Sequence, residues 1–151
     1  MNIRPTKSED IPALKVVLDE TGLFPSDMLP DMLTGFLSEE SEDIWLTCED
    51  GGNAIGFCFA APEALAEGTW NMLAIAVLPS SQGNGAGHAI VSALESSLRE
   101  RGNRILIADT SGTADFALTR DFYRKNGYSE EARIRDFWAE GDDKVTFRKA
   151  L

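Results

Sequence analysis

The chain has 151 residues, 43% of them hydrophobic, which is one domain's worth of sequence with enough apolar material for a core. Its formal net charge of −11 and pI near 4.4 argue against nucleic acid and anionic membrane surfaces, which would repel it within a Debye length, and make a cationic partner the better fit. No apolar run approaches the ~20 residues of a membrane span, the N-terminus lacks a signal peptide's apolar segment, and Cys48 and Cys58 lie in apolar runs without C-x-x-C spacing; the expectation is a cytoplasmic single domain over residues 1–151, with buried thiols and no metal site.

In chain order, residues 2–5 read as a short edge strand, and Ser8 caps a helix whose apolar positions are Ile11, Leu14, Val17 and Leu18, closed by Gly22. Residues 24–37 carry Met28, Leu29, Met32, Leu33, Phe36 and Leu37, too apolar for a solvent-facing helix, so this segment packs on the core or walls a pocket. Strands at 44–49 and 54–61 are joined by Asp50-Gly51-Gly52-Asn53, a hairpin turn by composition. A long apolar strand at 69–78 leads through a glycine-rich loop into a helix with Ile90, Val91, Leu94 and Leu98 on one face and His88, Ser92, Glu95 and Arg99 on a solvated one; Gly102 ends it. A strand at 104–108, a helix at 116–125, and strands at 128–138 and 144–148 around Glu140-Gly141-Asp142-Asp143 complete the chain. A helix leading to a parallel neighbour strand, flanked by hairpins, predicts an α/β mixed sheet with helices on both faces.

The loop Gln82-Gly83-Asn84-Gly85-Ala86-Gly87 is the sharpest local signal, because glycines strip side chains from backbone at a helix N-terminus, where unpaired N–H groups attract an anion. A dinucleotide fingerprint, G-x-G-x-x-G, fails because His88 holds its third glycine position. A triphosphate loop fails too, since no lysine or arginine occurs from 69 to 98. What remains, Gln-x-x-Gly-x-Gly after Val77-Leu78-Pro79, resembles the pyrophosphate loop of the GNAT superfamily of acyl-CoA-dependent N-acyltransferases. Asp121-Phe122-Tyr123-Arg124-Lys125-Asn126-Gly127-Tyr128 is similar to that superfamily's aromatic-Tyr-x-x-x-Gly-aromatic segment, and the element order agrees over essentially the whole chain.

The resemblance implies a mostly antiparallel sheet splayed where the cofactor enters, acetyl-CoA as co-substrate, an amine as acceptor, and allows a homodimer. By motif position, Val77 holds pantetheine through its backbone and the Ile75 N–H faces the thioester carbonyl, where it would stabilise the tetrahedral oxyanion. The amides of Gln82, Gly83, Asn84, Gly85, Ala86 and Gly87 cradle the pyrophosphate, and Arg120, Arg124 or Lys125 meets the remaining phosphate. Tyr123 is the acid that protonates the departing thiolate. Phe116 and Thr119 depart from the superfamily's usual Asn and small residue. For a base the sequence offers Glu67, Asp109 and Asp136, and for the acceptor an aromatic and acidic region comprising 24–37 and the last hairpin, with Asp27, Asp31, Phe137, Trp138, Glu140, Asp142 and Asp143. A small cationic amine is the expected acceptor, with an amino acid, a protein or peptide amine, or a non-catalytic acyl-CoA sensor as alternatives.

Overall fold

Residues 1–151 are all described by the computed structural model. Strands β1 (Asn2–Pro5), β2 (Ile44–Asp50), β3 (Asn53–Pro62), β4 (Thr69–Val77), β5 (Ile105–Ser111), β6 (Ser129–Ala139) and β7 (Asp142–Ala150) form one sheet in the order β1-β2-β3-β4-β5-β7-β6. Helices α1 (Ile11–Thr21), α2 (Leu29–Leu37), α3 (Ala86–Glu100) and α4 (Ala117–Lys125) pack on its two faces. Every pairing is antiparallel except β4 with β5, the pair that the α3 crossover connects.

Two apolar clusters follow from strand alternation. On one face α3 and Tyr123 of α4 cover Cys58, Met72, Leu106, Ala108, Val145 and Phe147. On the other, α1 and α2 bring Leu14, Val17, Leu18, Leu29 and Leu33 onto Trp45, Phe57, Ala74 and Ala76. The segment 24–37, read as too apolar for a solvent helix, is therefore core-packing, with Phe24 edge-on to Phe57 and Met32 and Phe36 at the cluster's margin. The second cluster stops at β4, so the same face of β5 and β7 carries Asp109, Thr146 and Lys144, each only partly covered.

One predicted surface is corrected. Glu95 is buried rather than solvated, since it stands one turn beyond Val91 on the flank of α3 that meets the chain's C-terminal half. There Tyr128 Oη donates to Glu95 Oε2 at 2.6 Å and Lys149 Nζ to Oε1 at 2.8 Å, so the desolvated carboxylate keeps its partners. Sequence periodicity alone could not supply partners that arrive from 33 and 54 residues away.

Candidate active site

Strands β4 and β5 pair only at Thr69↔Ile105, Trp70↔Leu106 and Asn71↔Ile107, then separate. The divergence starts beside a bulge: β3 pairs Ala60 with Met72 and Phe59 with Ala74, leaving Leu73 as an extra residue that bends β4. Past the bulge, Leu78 N–H donates to Ile55 O at 2.8 Å while Gly56 faces Val77. Antiparallel alternation then turns the backbone N–H and C=O of Val77, and of Ile75 two residues earlier, away from β3 and toward the edge that β5 no longer covers.

The glycine loop sits at the end of that open edge. Gly83 and Gly85 both have φ of +84°, a left-handed conformation that costs residues with a Cβ. The first N–H of α3 to find a backbone acceptor is that of Ala89, to Gly85 O at 2.9 Å, so the N–H groups from Gly83 through His88 donate to nothing within the protein. A Cβ added at Gly83 or Gly85 would meet no atom within 4 Å, which leaves room for a pyrophosphate. The remaining loop residues act differently from their neighbours. Gly87 admits the ring of Phe122, whose Cε1 would lie 2.9 Å from an added Cβ, and so lets α4 approach α3. Gln82 turns its side chain back to donate to Val77 O at 3.0 Å, clipping the loop to the strand end, and Ala86 is buried under α3.

Tyr123 comes from α4. Its ring is buried against Phe122, Tyr128 and Phe147, with centroids 5.6, 5.8 and 5.3 Å away. Burial, then the nearby Asp109 carboxylate and the Cys58 sulfur, push its phenol well above the ordinary tyrosine value. Cys58 faces Ile75 across the β3–β4 ladder and Asp109 lies on β5, so the phenol feels groups on both sides of the divergence, and it keeps its proton at neutral pH.

Other predicted site residues are committed elsewhere. Arg120 Nη1 donates to Ser111 O at 2.8 Å and Thr113 O at 2.7 Å, and Arg124 pairs with Asp121 at 3.1 Å, which leaves Lys125 as the exposed cation on that helix without an ion pair. Three acidic residues of the last hairpin are likewise occupied, though Glu140 is not: Asp136 accepts from Gly141 N–H, Asp142 from Ser111 Oγ, and Asp143 from Asp136 N–H and Arg133. Lys144 Nζ lies 4.5 Å from the Phe137 ring centroid, so the chain's own cation already sits on that aromatic ring. His88, exposed, bonds through Nδ1 to Asn126 Oδ1 at 2.7 Å and ties the start of α3 to the end of α4. A cavity of about 540 Å³, lined by Phe36, Asp43, Trp70 and Arg101 among others, opens at the opposite end of β4; of the predicted acceptor region it touches only Phe36, and it includes none of the predicted cofactor or catalytic residues. No group of three or more His, Cys, Asp or Glu is arranged to hold a metal ion, and no helix is long and apolar enough to cross a membrane.

The strand edge opens where β4 leaves β5 and runs into a loop of unused amides, and comparison with known proteins decides the family. The profile of the Acetyltransferase (GNAT) family matches residues 14–128. The chain belongs to the GNAT acetyltransferase family. It is thus an acetyl-CoA-dependent N-acetyltransferase, and the seven-stranded, mostly antiparallel sheet is the GNAT fold. A GNAT-family protein from Desulfovibrio desulfuricans is 28% identical over 99% of this chain and 98% of its own, with a TM-score of 0.89. A ribosomal-protein-alanine N-acetyltransferase from Brucella melitensis aligns over the full length of both chains at 20% identity and TM-score 0.83. An aminoglycoside 6'-N-acetyltransferase complexed with coenzyme A aligns over 99% of this chain and 97% of its own at 19% identity and TM-score 0.81. No curated protein matches the chain.

Sequence reasoning missed the bulge at Leu73, the Gln82 clip and the hydrogen bonds of Asn71 to Glu63 and Asp109. Asn71 did leave a signal, being the one polar residue between Trp70 and Leu78.

Proposed function

We propose that residues 1–151 act as one catalytic unit that moves the acetyl group of acetyl-CoA directly onto the primary amine of a small, cationic acceptor. The observation that carries this reading is the uncovered edge of β4, where Ile75 and Val77 turn backbone groups into the gap, continuing into the unused amides of Gly83 to His88. Pantetheine adds to that edge as a strand would, and pyrophosphate accepts from the loop amides. The Ile75 N–H receives the oxyanion, and the Tyr123 phenol, protonated at neutral pH, donates to the leaving thiolate. Lys125 is the free cation for the remaining phosphate. A net charge of −11 favours a cationic acceptor. Buried free thiols at Cys48 and Cys58 fit a reducing, cytoplasmic setting.

The acceptor has a second reading. Structural neighbours named for an aminoglycoside and for a ribosomal-protein alanine both align over nearly all of this chain, so an amino-acid or peptide amine is the alternative to a small polyamine-like one. Incubation with acetyl-CoA and a panel of polyamines, amino sugars, amino acids and peptides, with free thiol measured, separates them. Saturable CoA binding without thiol release for any amine would make the protein a sensor of acyl-CoA. Tyr123→Phe is expected to lower kcat by about 10²-fold at unchanged CoA affinity; full retention of rate removes Tyr123 as the acid.

A further inference from the structure

Where β4 leaves β5, on the face opposite Tyr123, two carboxylates converge on one buried amide. Asn71, the last paired residue of β4, is 8% exposed, and its Nδ2 donates to Glu63 Oε1 at 3.0 Å and to Asp109 Oδ2 at 3.3 Å. The oxygen of the same amide, Asn71 Oδ1, is buried beside them and has no hydrogen-bond partner. A buried carbonyl without a donor is left desolvated and unpaired, a deficit that a ligand N–H would remove. Two carboxylates bonded to one neutral amide, with an orphan carbonyl oxygen on that amide, make a cluster rich in acceptors and poor in donors.

The surroundings keep Asp109 in place. Thr146 Oγ1 donates to Asp109 Oδ1 at 2.6 Å, and Lys144 Nζ stands 3.8 Å from Oδ2, half drawn away over the Phe137 ring. The Asp109 side chain is 16% exposed, so it is reachable from solvent. With Glu63, Asp109 and Lys144 as its charged groups, the cluster carries a net negative charge before any ligand arrives. Asn71 stands at the last β4–β5 pair and Asp109 two residues past it, where the strands separate.

We infer that Glu63, Asn71 and Asp109 form the site that receives the acceptor's ammonium group, with Asp109 as the base that takes its proton; the inference rests on the acyl-transfer reading above. An alkylammonium ion is neutral to only about four parts in ten thousand at pH 7, so attack requires a proton acceptor at this point. The Asp109 carboxylate takes one proton from R–NH₃⁺, and the freed nitrogen pair forms the C–N bond to the thioester carbon while the C=O pair moves onto oxygen. That pair returns, the C–S bond breaks, and the thiolate takes the Tyr123 proton. The second ammonium-type proton on the new C–N nitrogen restores the phenol, and Asp109 passes its own proton to water. Ammonium and acetyl-CoA thus yield amide, CoA thiol and one released proton. Entry and exit of protons are on opposite faces of the sheet.

The test compares n-propylamine with 2,2,2-trifluoroethylamine, near-isosteric amines of which the second is mostly neutral at pH 7. Asp109→Asn is expected to lower kcat/KM for propylamine by about 10²–10⁴-fold and for trifluoroethylamine by less than about tenfold, with CoA affinity unchanged. Thr146→Val, which keeps the carboxylate but loosens it, should show a smaller loss with the same bias toward the basic amine. Equal losses for the two amines, or full activity in Asp109→Asn, overturn the base. Titrating n-propylammonium chloride against sodium chloride at equal ionic strength should shift the Asn71 side-chain ¹⁵N amide resonance saturably, and Glu63→Gln should weaken that binding; no saturable shift overturns the ammonium site. Saturable ammonium binding without thiol release by the wild type would instead leave the site standing and remove the acyl-transfer reading.

Discussion

The face covered by α3 and α4 differs from the uncovered face of β5 and β7 in what its polar groups are for. On the covered face the polar contacts are internal: Glu95 serves Tyr128 and Lys149, Asn126 serves His88, and Arg120 holds two carbonyls. What this face leaves for a ligand is backbone, the amides of the loop and the edge of β4. On the uncovered face the free capacity is in side chains, with the orphan oxygen of Asn71 at its centre. If the acyl donor binds the first face and the acceptor the second, as proposed, the donor's site is specified by chain path and the acceptor's by residue identity, so the two should respond differently to substitution.

The largest expected break lies on the covered face. Glu95→Ala leaves Tyr128 and Lys149 without their partner in a buried position and should lower unfolding stability by about 2–3 kcal/mol in denaturant melts, whereas Arg133→Ala, which loses only exposed pairs with Asp143 and Glu130, should cost under about 0.5 kcal/mol. Gly85→Ala should raise the CoA dissociation constant about tenfold by calorimetry with a stability loss near 1 kcal/mol, because φ of +84° strains any Cβ although nothing in the protein blocks it.

Acid and base should open the molecule from different sides. The Arg4 guanidinium, bonded to Asp10 at 2.7 Å between β1 and α1, holds that carboxyl below its ordinary value. Its stabilisation is complete above the unfolded value near ~3.9 and is lost as pH falls through the lower folded value, so Asp10→Asn should flatten the acid limb of a stability-against-pH curve. Burial, then the Glu95 hydrogen bond, raise the Tyr128 phenol, and burial raises the Cys58 thiol to about 12. Their stabilisation is complete below the unfolded values, near ~8.5 for thiol and ~10 for phenol, and is lost as pH rises toward the folded ones, so Tyr128→Phe should flatten the alkaline limb instead. The smallest effect is expected at the rim: Lys125→Ala should weaken CoA binding a few-fold, less at high salt, without altering stability.

The donor side was legible in the sequence because glycine spacing and the Tyr123 to Gly127 interval report backbone path, and path is what that site uses. Element order was legible for the same reason, from apolar period and turn residues. The acceptor side was not. Asp109 read as one strand-end acid among several, and nothing local shows that Asn71 and Thr146 bond to it or that Asn71 also bonds to Glu63. Glu95 failed similarly, since its helix period fits a solvated face as well as a buried one until Lys149 arrives. The acidic hairpin residues looked available because a sequence does not show that a turn consumes its own carboxylates.

Leu73 carries a further consequence. Ahead of it Trp70 and Met72 point at α3, and beyond it Ile75 and Val77 do so again, although an unbroken strand would have placed even- and odd-numbered residues on opposite sides. The strand is thus written in two frames joined by a single letter. Any residue there preserves the splice, and the half-exposed leucine should tolerate alanine or serine; excising it would throw Ile75 and Val77 across the sheet and bring Ala74 and Ala76 into their places, a frameshift in three dimensions from the loss of one residue.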